Sequence, residues 1–398
     1  MNMVHHDRLL AGLRVIDAGH VLAGPFVGTL LADLGAEVIK LELPELAKQG
    51  SKAGSALRAV EYRNKKSVTL NLRQPEGQEL ARKLVSVSDA WVENYSPGTM
   101  EKWGLGFDDL AKANPRIIMV RVSGYGQTGP YRDRTSYDRI GQAVGGMLYV
   151  TGEPDRPPAH PGYMLGDYIT GTFGALSILS AVYHRDHMAC NEPQLVDLSL
   201  YESVFRYSGQ MAPEYSQTGY VRERAGTVRA WSIPGDQFQS RDGKWVLILA
   251  LSPNLWERLA KAAMGQPELV SDPRFANPEA RLEHVEALHG IIREWVASLD
   301  AVDVYRILSE WRVPFGPINS IADIFDDPHY QAREDLVTVE DPLIGKVAMP
   351  AVYPRLSHAA GRVYNPAPVP GQHNREIYQE LLGLSEAECD RLQAAGTI

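Results

Sequence analysis

The stretch LRVIDAGHVLAGPFVGTLLADLGAEVIKLE, residues 13–42, decides the fold class. Its opening, Leu13-Arg-Val-Ile-Asp17, has the apolar, β-branched character of a strand, and Glu37-Val-Ile-Lys-Leu-Glu42 repeats it. Between them Phe26 to Leu34 is an apolar run of helical length, closed by Gly35, which suits the left-handed stop of a helix. Working outward, Ser67 to Leu72 is the next strand, Pro75 opens a helix, and Asp89 to Glu93 is a further strand. Arg116 to Ser123 leads through a glycine-rich turn to a helical segment, Arg139 to Leu148. An apolar segment from about Ile169 to His187 predicts a buried helix, and Gln194 to Leu200 predicts a strand. Strand and helix alternating at these spacings predict an α/β fold with a mainly parallel sheet covered on both faces.

The rhythm changes after about residue 222. Gly235 to Leu249 contains a hairpin turn and a strand, and Ser252-Pro253 caps a helix reaching about Met264. Glu279 to Trp311 gives two amphipathic helices broken at Ser298-Leu-Asp300. From about Val337 follow a strand pair, a Pro-rich stretch (Pro366 to Pro370) and a final helix, Asn374 to Gly383.

At 398 residues the chain accommodates two domains. The formal net charge of -9 speaks against nucleic acid as a partner. The two cysteines, Cys190 and Cys389, are far apart; they exclude a disulfide scaffold and a cysteine zinc site and suit a reducing compartment. MNMVHHDRLL has no apolar core or cleavage signal, and His5 and His6 read as disordered terminal residues. Apolar stretches such as Ala175 to Val182 are far shorter than a membrane span. A cytoplasmic protein without a membrane partner is the expectation.

Two motifs point elsewhere. Gly124-Tyr-Gly126-Gln-Thr-Gly129 fits the dinucleotide fingerprint, but Pro130-Tyr131 follow where a helix should run, and no strand-end acid lies at the right distance. His184 and His187 have metal-compatible spacing without an acidic partner, so they read as exposed helix-end histidines, and no metal site is expected. Elbow, zincin and P-loop motifs are missing.

Three stretches remain. Gly19-His-Val-Leu-Ala-Gly-Pro25 joins the first strand to a helix, and small residues at a helix N-terminus leave backbone donors for an anion. Tyr62-Arg63-Asn64-Lys65-Lys66-Ser67 offers cations that can meet phosphates. Asn94 and Tyr95 follow a strand's C-terminal end, where open parallel sheets bind ligands. In Leu165-Gly-Asp167-Tyr-Ile-Thr-Gly171-Thr-Phe-Gly174 one carboxylate opens an apolar helix. On local chemistry Asp167 is an N-cap, which adds ~1 kcal/mol to helix stability. The surrounding glycines leave room for a bulky ligand and keep a catalytic role open.

Together these stretches, with RNKKSVTLNLRQPEGQEL, VENYSPGTMEKWGLG, YGQTGPYRDRTSYDRIGQAVGGM and VPFGPINSIADIFDDP, make the chain resemble the class III CoA-transferases, the CaiB/BaiF type that includes formyl-CoA transferase and carnitine CoA-transferase. The resemblance implies a Rossmann-like large domain with a parallel sheet, residues 1–222 together with a returning segment, 331–398. It implies a smaller α+β domain inserted at 223–330, and an interlocked homodimer. It implies Asp167 as the nucleophile, with His20, Ala23, Lys65, Asn94, Tyr95, Lys102 and Tyr137 as coenzyme A contacts. Coenzyme A thioester is then a substrate, with no tightly bound cofactor.

Leu22-Ala23-Gly24-Pro25 departs from the Gln-Ala-Gly-Pro of formyl-CoA transferases, and residues 224–240 lack a counterpart of their glycine flap, which speaks against oxalate and formate. The rival within the superfamily is an α-methylacyl-CoA racemase-like isomerase. Its catalytic histidine falls where this chain has Thr135-Ser136-Tyr137-Asp138, without a histidine, and an Asp alone makes a poor proton relay. A coenzyme A-binding protein without turnover is the rival from outside enzymology. The transferase reading expects an acyl-CoA donor such as succinyl-CoA and a small carboxylic or dicarboxylic acid. Arg134, Arg206, Arg224 and Arg229 are candidates to hold a remote carboxylate.

Overall fold

The sheet grows from β1, Arg14–Asp17, whose residues point alternately to two buried faces. Val15 joins one apolar cluster and Ile16 the other. β2 (Glu37–Glu42), β4 (Ala90–Glu93) and β5 (Ile118–Ser123) divide in the same way: Val38, Val92 and Val120 face one side, Ile39, Trp91 and Met119 the other. A computed structural model describes residues 8–49, 54–227 and 233–398, so His5, His6 and Arg229 lie outside the described residues. With β3 (Lys66–Thr69) and β6 (Gln194–Ser199) the strands form one six-stranded sheet, order β3-β2-β1-β4-β5-β6, paired in parallel throughout. This is a doubly wound sheet, and its strand order reverses between β1 and β4.

Helices Ala23–Asp33 and Leu165–His187 cover the Val15 face. Helices Pro75–Ser86 and Phe107–Ala113 cover the Ile16 face, together with Ile377, Tyr378 and Leu392 from the C-terminal segment. That segment also shields the β3 edge, where unpaired backbone groups would invite aggregation. The His373 N–H donates to Ser67 O at 2.9 Å, and the Thr69 N–H donates to Asn374 Oδ1 at 2.9 Å. A hairpin of β10 (Leu336–Asp341) and β11 (Gly345–Pro350) belongs to the same unit. The final helix differs from expectation: a π-helical turn, Glu376–Leu381, precedes a separate helix, Glu386–Ala394, whose Ser385 side chain accepts from Glu388 N.

Chain contacts separate this unit (1–147, 162–221 and 332–398) from a second one, 148–161 with 222–331. The second unit holds an antiparallel sheet of β7 (Gly235–Gln239), β8 (Trp245–Leu249) and β9 (Phe315–Pro317). Helices Val285–Ala297 and Ala301–Glu310 bury Leu288, Ile292, Val304 and Leu308 in its own core around Phe238 and Phe275.

The helix that carries Asp167 starts earlier than its apolar pattern suggests, at Leu165. At 23 residues it is long and apolar enough to cross a membrane by length and composition, which corrects the expectation that every apolar stretch is too short. Its small residues account for its use in a globular layer. Gly171 and Gly174 lie against helix Ala23–Asp33 so closely that an added Cβ would stand 3.0 Å from Ala23 O and 2.5 Å from Val27 Cγ2.

Candidate active site

A doubly wound sheet binds its ligands outside the carboxyl ends of the strands, where the order reverses. Here that point lies between β1 and β4, and the residues just beyond their ends are Gly19-His20 and Asn94-Tyr95. They are joined directly. His20 N donates to Asn94 Oδ1 at 2.7 Å, Asn94 Nδ2 donates to His20 O at 2.8 Å, and His20 Nε2 lies 2.5 Å from Tyr95 Oη. Burial and then the Lys40 charge draw the His20 imidazole down to about 4, so the ring is neutral at pH 7.

Tyr95 is held from behind. Its ring packs edge-on against Trp103 at 5.0 Å, and its N–H donates to Glu93 Oε2 at 2.6 Å. Glu93 is fully buried; burial pushes its carboxyl up to about 7 against the pull of Arg121, whose Nε donates to it at 2.7 Å. Tyr95→Phe keeps the Trp103 packing and deletes the His20 bond. It is expected to lower stability by about 1 kcal/mol, the effect of one hydrogen bond, and thermal melts will show it.

Asp167 reaches the same end of the sheet through helix packing. Helices Ala23–Asp33 and Leu165–His187 meet at Gly171 opposite Ala23 and Phe26, and at Gly174 opposite Val27, so they run in the same direction. Residues i and i+4 share a helix face, so Asp167, one turn before Gly171, comes level with the Gly19–Leu22 turn. The ring of Tyr168 meets Phe26 edge-on at 4.7 Å, and its hydroxyl donates to Glu61 Oε1 at 3.2 Å, which fixes this first turn.

The N-cap reading of Asp167 does not hold. The N-cap position is Met164, and no side chain caps this helix end from within. The orphan donor at Asp167 N is taken from another segment, by Asp138 Oδ1 at 3.1 Å. Gly166 makes this approach possible, because a Cβ there would stand 3.0 Å from the same oxygen. Among the described residues the Asp167 carboxylate itself meets no hydrogen-bond donor. Burial, and then the charge of Asp138, push it up to about 7. A carboxylate with little solvation and no donors is a stronger nucleophile than one in water.

The other expected residues fall in different places. Ala23 is buried at the first turn of its helix, against Gly171. Tyr137 is 71% exposed and precedes Asp138, so it stands at the Asp167 end of the unit. Lys102 is exposed on the short helix Thr99–Lys102, and no contact ties it to His20 or Asn94. Lys65 departs from the expected phosphate-facing cation: its side chain has no exposed surface and its Nζ is bound to Asp17 Oδ2 at 2.9 Å. Its neighbours are likewise committed, Arg63 to Asp33 and Lys66 to Glu37 and Glu376. A cation run beside carboxylates of neighbouring strands and helices neutralises them, and here that use prevails.

Arg134 is exposed and stacks on Tyr131, Arg206 ends an exposed helix turn, and Arg224 of the second unit donates to Tyr149 O at 2.8 Å. The turn Gly124–Gly129 has two of its donors occupied: Gly126 N donates to Ser123 Oγ and Gln127 N to Asp197. No helix follows that turn until Asp138, which removes the dinucleotide reading.

Sequence reasoning missed Asp138, Arg73 and Trp103. The latter two line a hollow of about 40 Å³ with His20, Leu72 and Tyr95 at the carboxyl ends of the strands. A cavity of about 940 Å³ opens at the opposite ends of β1 to β3, and of the expected residues only Lys65 borders it. Among the described residues no cluster of three or more His, Cys, Asp or Glu could hold a metal ion.

A doubly wound sheet with an unpaired carboxylate over its switch point defines a class that comparison with known proteins identifies. The chain belongs to CoA-transferase family III, whose pattern it matches over residues 10–374, and it is a CoA-transferase. It is 44% identical, over the full length of both chains, to a succinyl-CoA–D-citramalate CoA-transferase of Chloroflexus aurantiacus. It is 43% identical, over 98% of each chain, to the β subunit of a succinyl-CoA–L-malate CoA-transferase of the same organism. Among solved structures a CaiB/BaiF family protein from Brucella suis superposes with a TM-score of 0.84 at 32% identity, covering 94% of this chain and 99% of the other.

Proposed function

We propose that this enzyme moves coenzyme A from succinyl-CoA to a short hydroxy- or methyl-substituted dicarboxylate, with Asp167 as the covalent carrier. The observation that carries the reading is the Asp167 carboxylate, without hydrogen-bond donors and pushed up to about 7, level with the turn that follows β1. The substrates named for the relatives of 43–44% identity support the choice of donor and acceptor.

An Asp167 oxygen attacks the thioester carbonyl carbon, the C–S bond breaks, and a mixed anhydride and the coenzyme A thiolate result. The thiolate then attacks the aspartyl carbonyl, which releases the donor acid as its carboxylate and leaves a thioester on Asp167. The acceptor carboxylate attacks that thioester and expels the thiolate, which attacks the acceptor carbonyl of the new anhydride. The acceptor leaves as its coenzyme A thioester and the Asp167 carboxylate is restored. No proton is gained or lost, so a nucleophile without a histidine partner suffices. His20, Ala23, Asn94, Tyr95, Lys102 and Tyr137 hold the coenzyme A portion in this reading, and Lys65 supports the turn from below. The enzyme works as a cytoplasmic homodimer of interlocked chains; exposed Leu176, Tyr183, Phe205 and Tyr207 supply apolar surface for a second copy.

A matrix of acyl-CoA donors and carboxylic acids, followed by mass spectrometry of the thioesters, tests the substrates. Succinyl-CoA with citramalate or malate should give the fastest exchange, and turnover confined to monocarboxylates would refute the assignment. The racemase alternative predicts solvent deuterium at the α-carbon instead. Because only ionised Asp167 attacks, kcat/KM should rise with pH through an inflection near 7 and level off above it. A profile flat from pH 5 to 8 contradicts the role given to Asp167.

A further inference from the structure

Val21 occupies the left-handed region at φ 61°, although its side chain is 66% exposed and no packing compels it. That conformation is rare for a β-branched residue and persists only where the surroundings impose it. The imposition comes from both flanks. The Gly19 N–H donates to Asp17 Oδ1 at 3.0 Å, and the Gly19 carbonyl accepts from Lys40 Nζ. His20 is bonded at both its N–H and its carbonyl to Asn94, and Pro25 O accepts from Lys65 Nζ at 2.6 Å. The two ammonium groups converge on one carboxylate, Asp17, at 3.1 and 2.9 Å, and none of the three side chains is more than 1% exposed. Side chains from β1 and β2 and from the residues flanking β3 and β4 thus tie down the two ends of one turn. Between those ends the N–H groups of Val21, Leu22, Ala23 and Gly24 meet no acceptor among the described residues.

We propose that Asp17, Lys40 and Lys65 are positioning residues for coenzyme A transfer. They lock the Gly19–Pro25 turn so that its unbonded N–H groups stand beside Asp167 and receive the oxyanion of each tetrahedral intermediate. The proposal rests on Asp167 being the nucleophile. When the carboxylate or the thiolate adds to a carbonyl, its electron pair forms the new bond and the carbonyl pair moves onto oxygen. That charge returns when the leaving group departs, so the donors must be in place beforehand and no proton needs to move. The lysines take no part in the chemistry: each ammonium is turned to Asp17 and a main-chain carbonyl beneath the turn. Gly126 and Gln127, in the other glycine-rich turn, already spend their N–H groups on Ser123 and Asp197.

Three variants test this, with Asp167→Asn assayed in parallel. Lys40→Met releases Gly19 and leaves Asp17 paired with Lys65; Lys65→Met releases Pro25 and leaves Asp17 paired with Lys40. Val21→Pro changes an exposed side chain, removes the Val21 N–H from the donor set and forbids the positive φ, since the proline ring fixes φ near about −65°. In each folded variant kcat should fall by about 100-fold or more, a larger factor than any rise in the acyl-CoA KM from His20 and Ala23 in the same turn, because the oxyanion exists only along the reaction. A merely structural role would lower the melting temperature and leave the kcat of folded enzyme unchanged. Wild-type kcat in folded Val21→Pro overturns the proposal, and so does a rise in KM at constant kcat. Should both lysine variants fail to fold, Val21→Pro decides alone. If Asp167→Asn retains transfer, the nucleophile reading has failed; if Asp167→Asn is dead and Val21→Pro is fully active, only the present inference has.

Discussion

Asp167→Asn is expected to abolish coenzyme A transfer and, above pH 7, to make the folded protein more stable. The loss follows from the proposal that Asp167 is the covalent carrier, and should reach at least about 10⁴-fold in kcat, in line with nucleophile deletions elsewhere. The gain follows from linkage. A carboxyl raised from 3.8 to about 7 on folding holds its proton more tightly in the folded state. Its contribution is most favourable below about pH 4, declines as pH rises towards 7, and is an unfavourable constant beyond. The span from 3.8 to about 7 corresponds to about 4 kcal/mol at full burial, and partial solvent contact reduces it. Thermal melts at pH 5 and pH 8 should show the variant's advantage growing with pH. A variant less stable than the parent at pH 8 would contradict an Asp167 held in a desolvated, donor-free place.

Gly171→Ala is expected to cost catalysis far more than its size suggests. A Cβ at this position would stand 2.8 Å from Phe26 Cδ1 and 3.0 Å from Ala23 O. The carbonyl belongs to the backbone of a buried helix and cannot swing aside, so the helices must separate. Overpacking of this kind costs ~1–3 kcal/mol of stability. The larger effect is on geometry, because Asp167 stands one turn above the contact. A displacement of about 1 Å at a nucleophile can cost about 100-fold in rate, so kcat should fall by that order while the acyl-CoA KM stays near its parental value. Equal kcat in the two proteins would show that the contact of the two helices does not place Asp167.

Much of this arrangement was legible in the chain. Stretches such as Val15-Ile16 and Trp91-Val92 are apolar on consecutive residues, which is how a strand buried on both faces reads, and glycines marked the turn between β1 and its helix. What stayed hidden depended on long-range pairing. Lys40 sits between apolar Ile39 and Leu41 within a strand, a signal that it must be matched by a buried acid, but only strand order shows that acid to be Asp17. Lys65 looked like a phosphate ligand because a run of cations carries no mark of the acid two strands away in the sheet. Asp167 looked like a helix cap because Asp138, which satisfies the orphan N–H in its stead, is 29 residues away in sequence. Ser385 and Glu388 carry the spacing of a helix start, and the helix Glu386–Ala394 could have been anticipated from them.

Trapping the carrier tests the central claim most directly. The enzyme incubated with succinyl-CoA, without acceptor acid, and quenched with hydroxylamine should yield a hydroxamate on the peptide that contains Asp167. Tandem mass spectrometry should place it on that side chain, and acceptor acid added before the quench should remove it. A hydroxamate at another carboxylate, or none while transfer proceeds at its normal rate, would contradict the account.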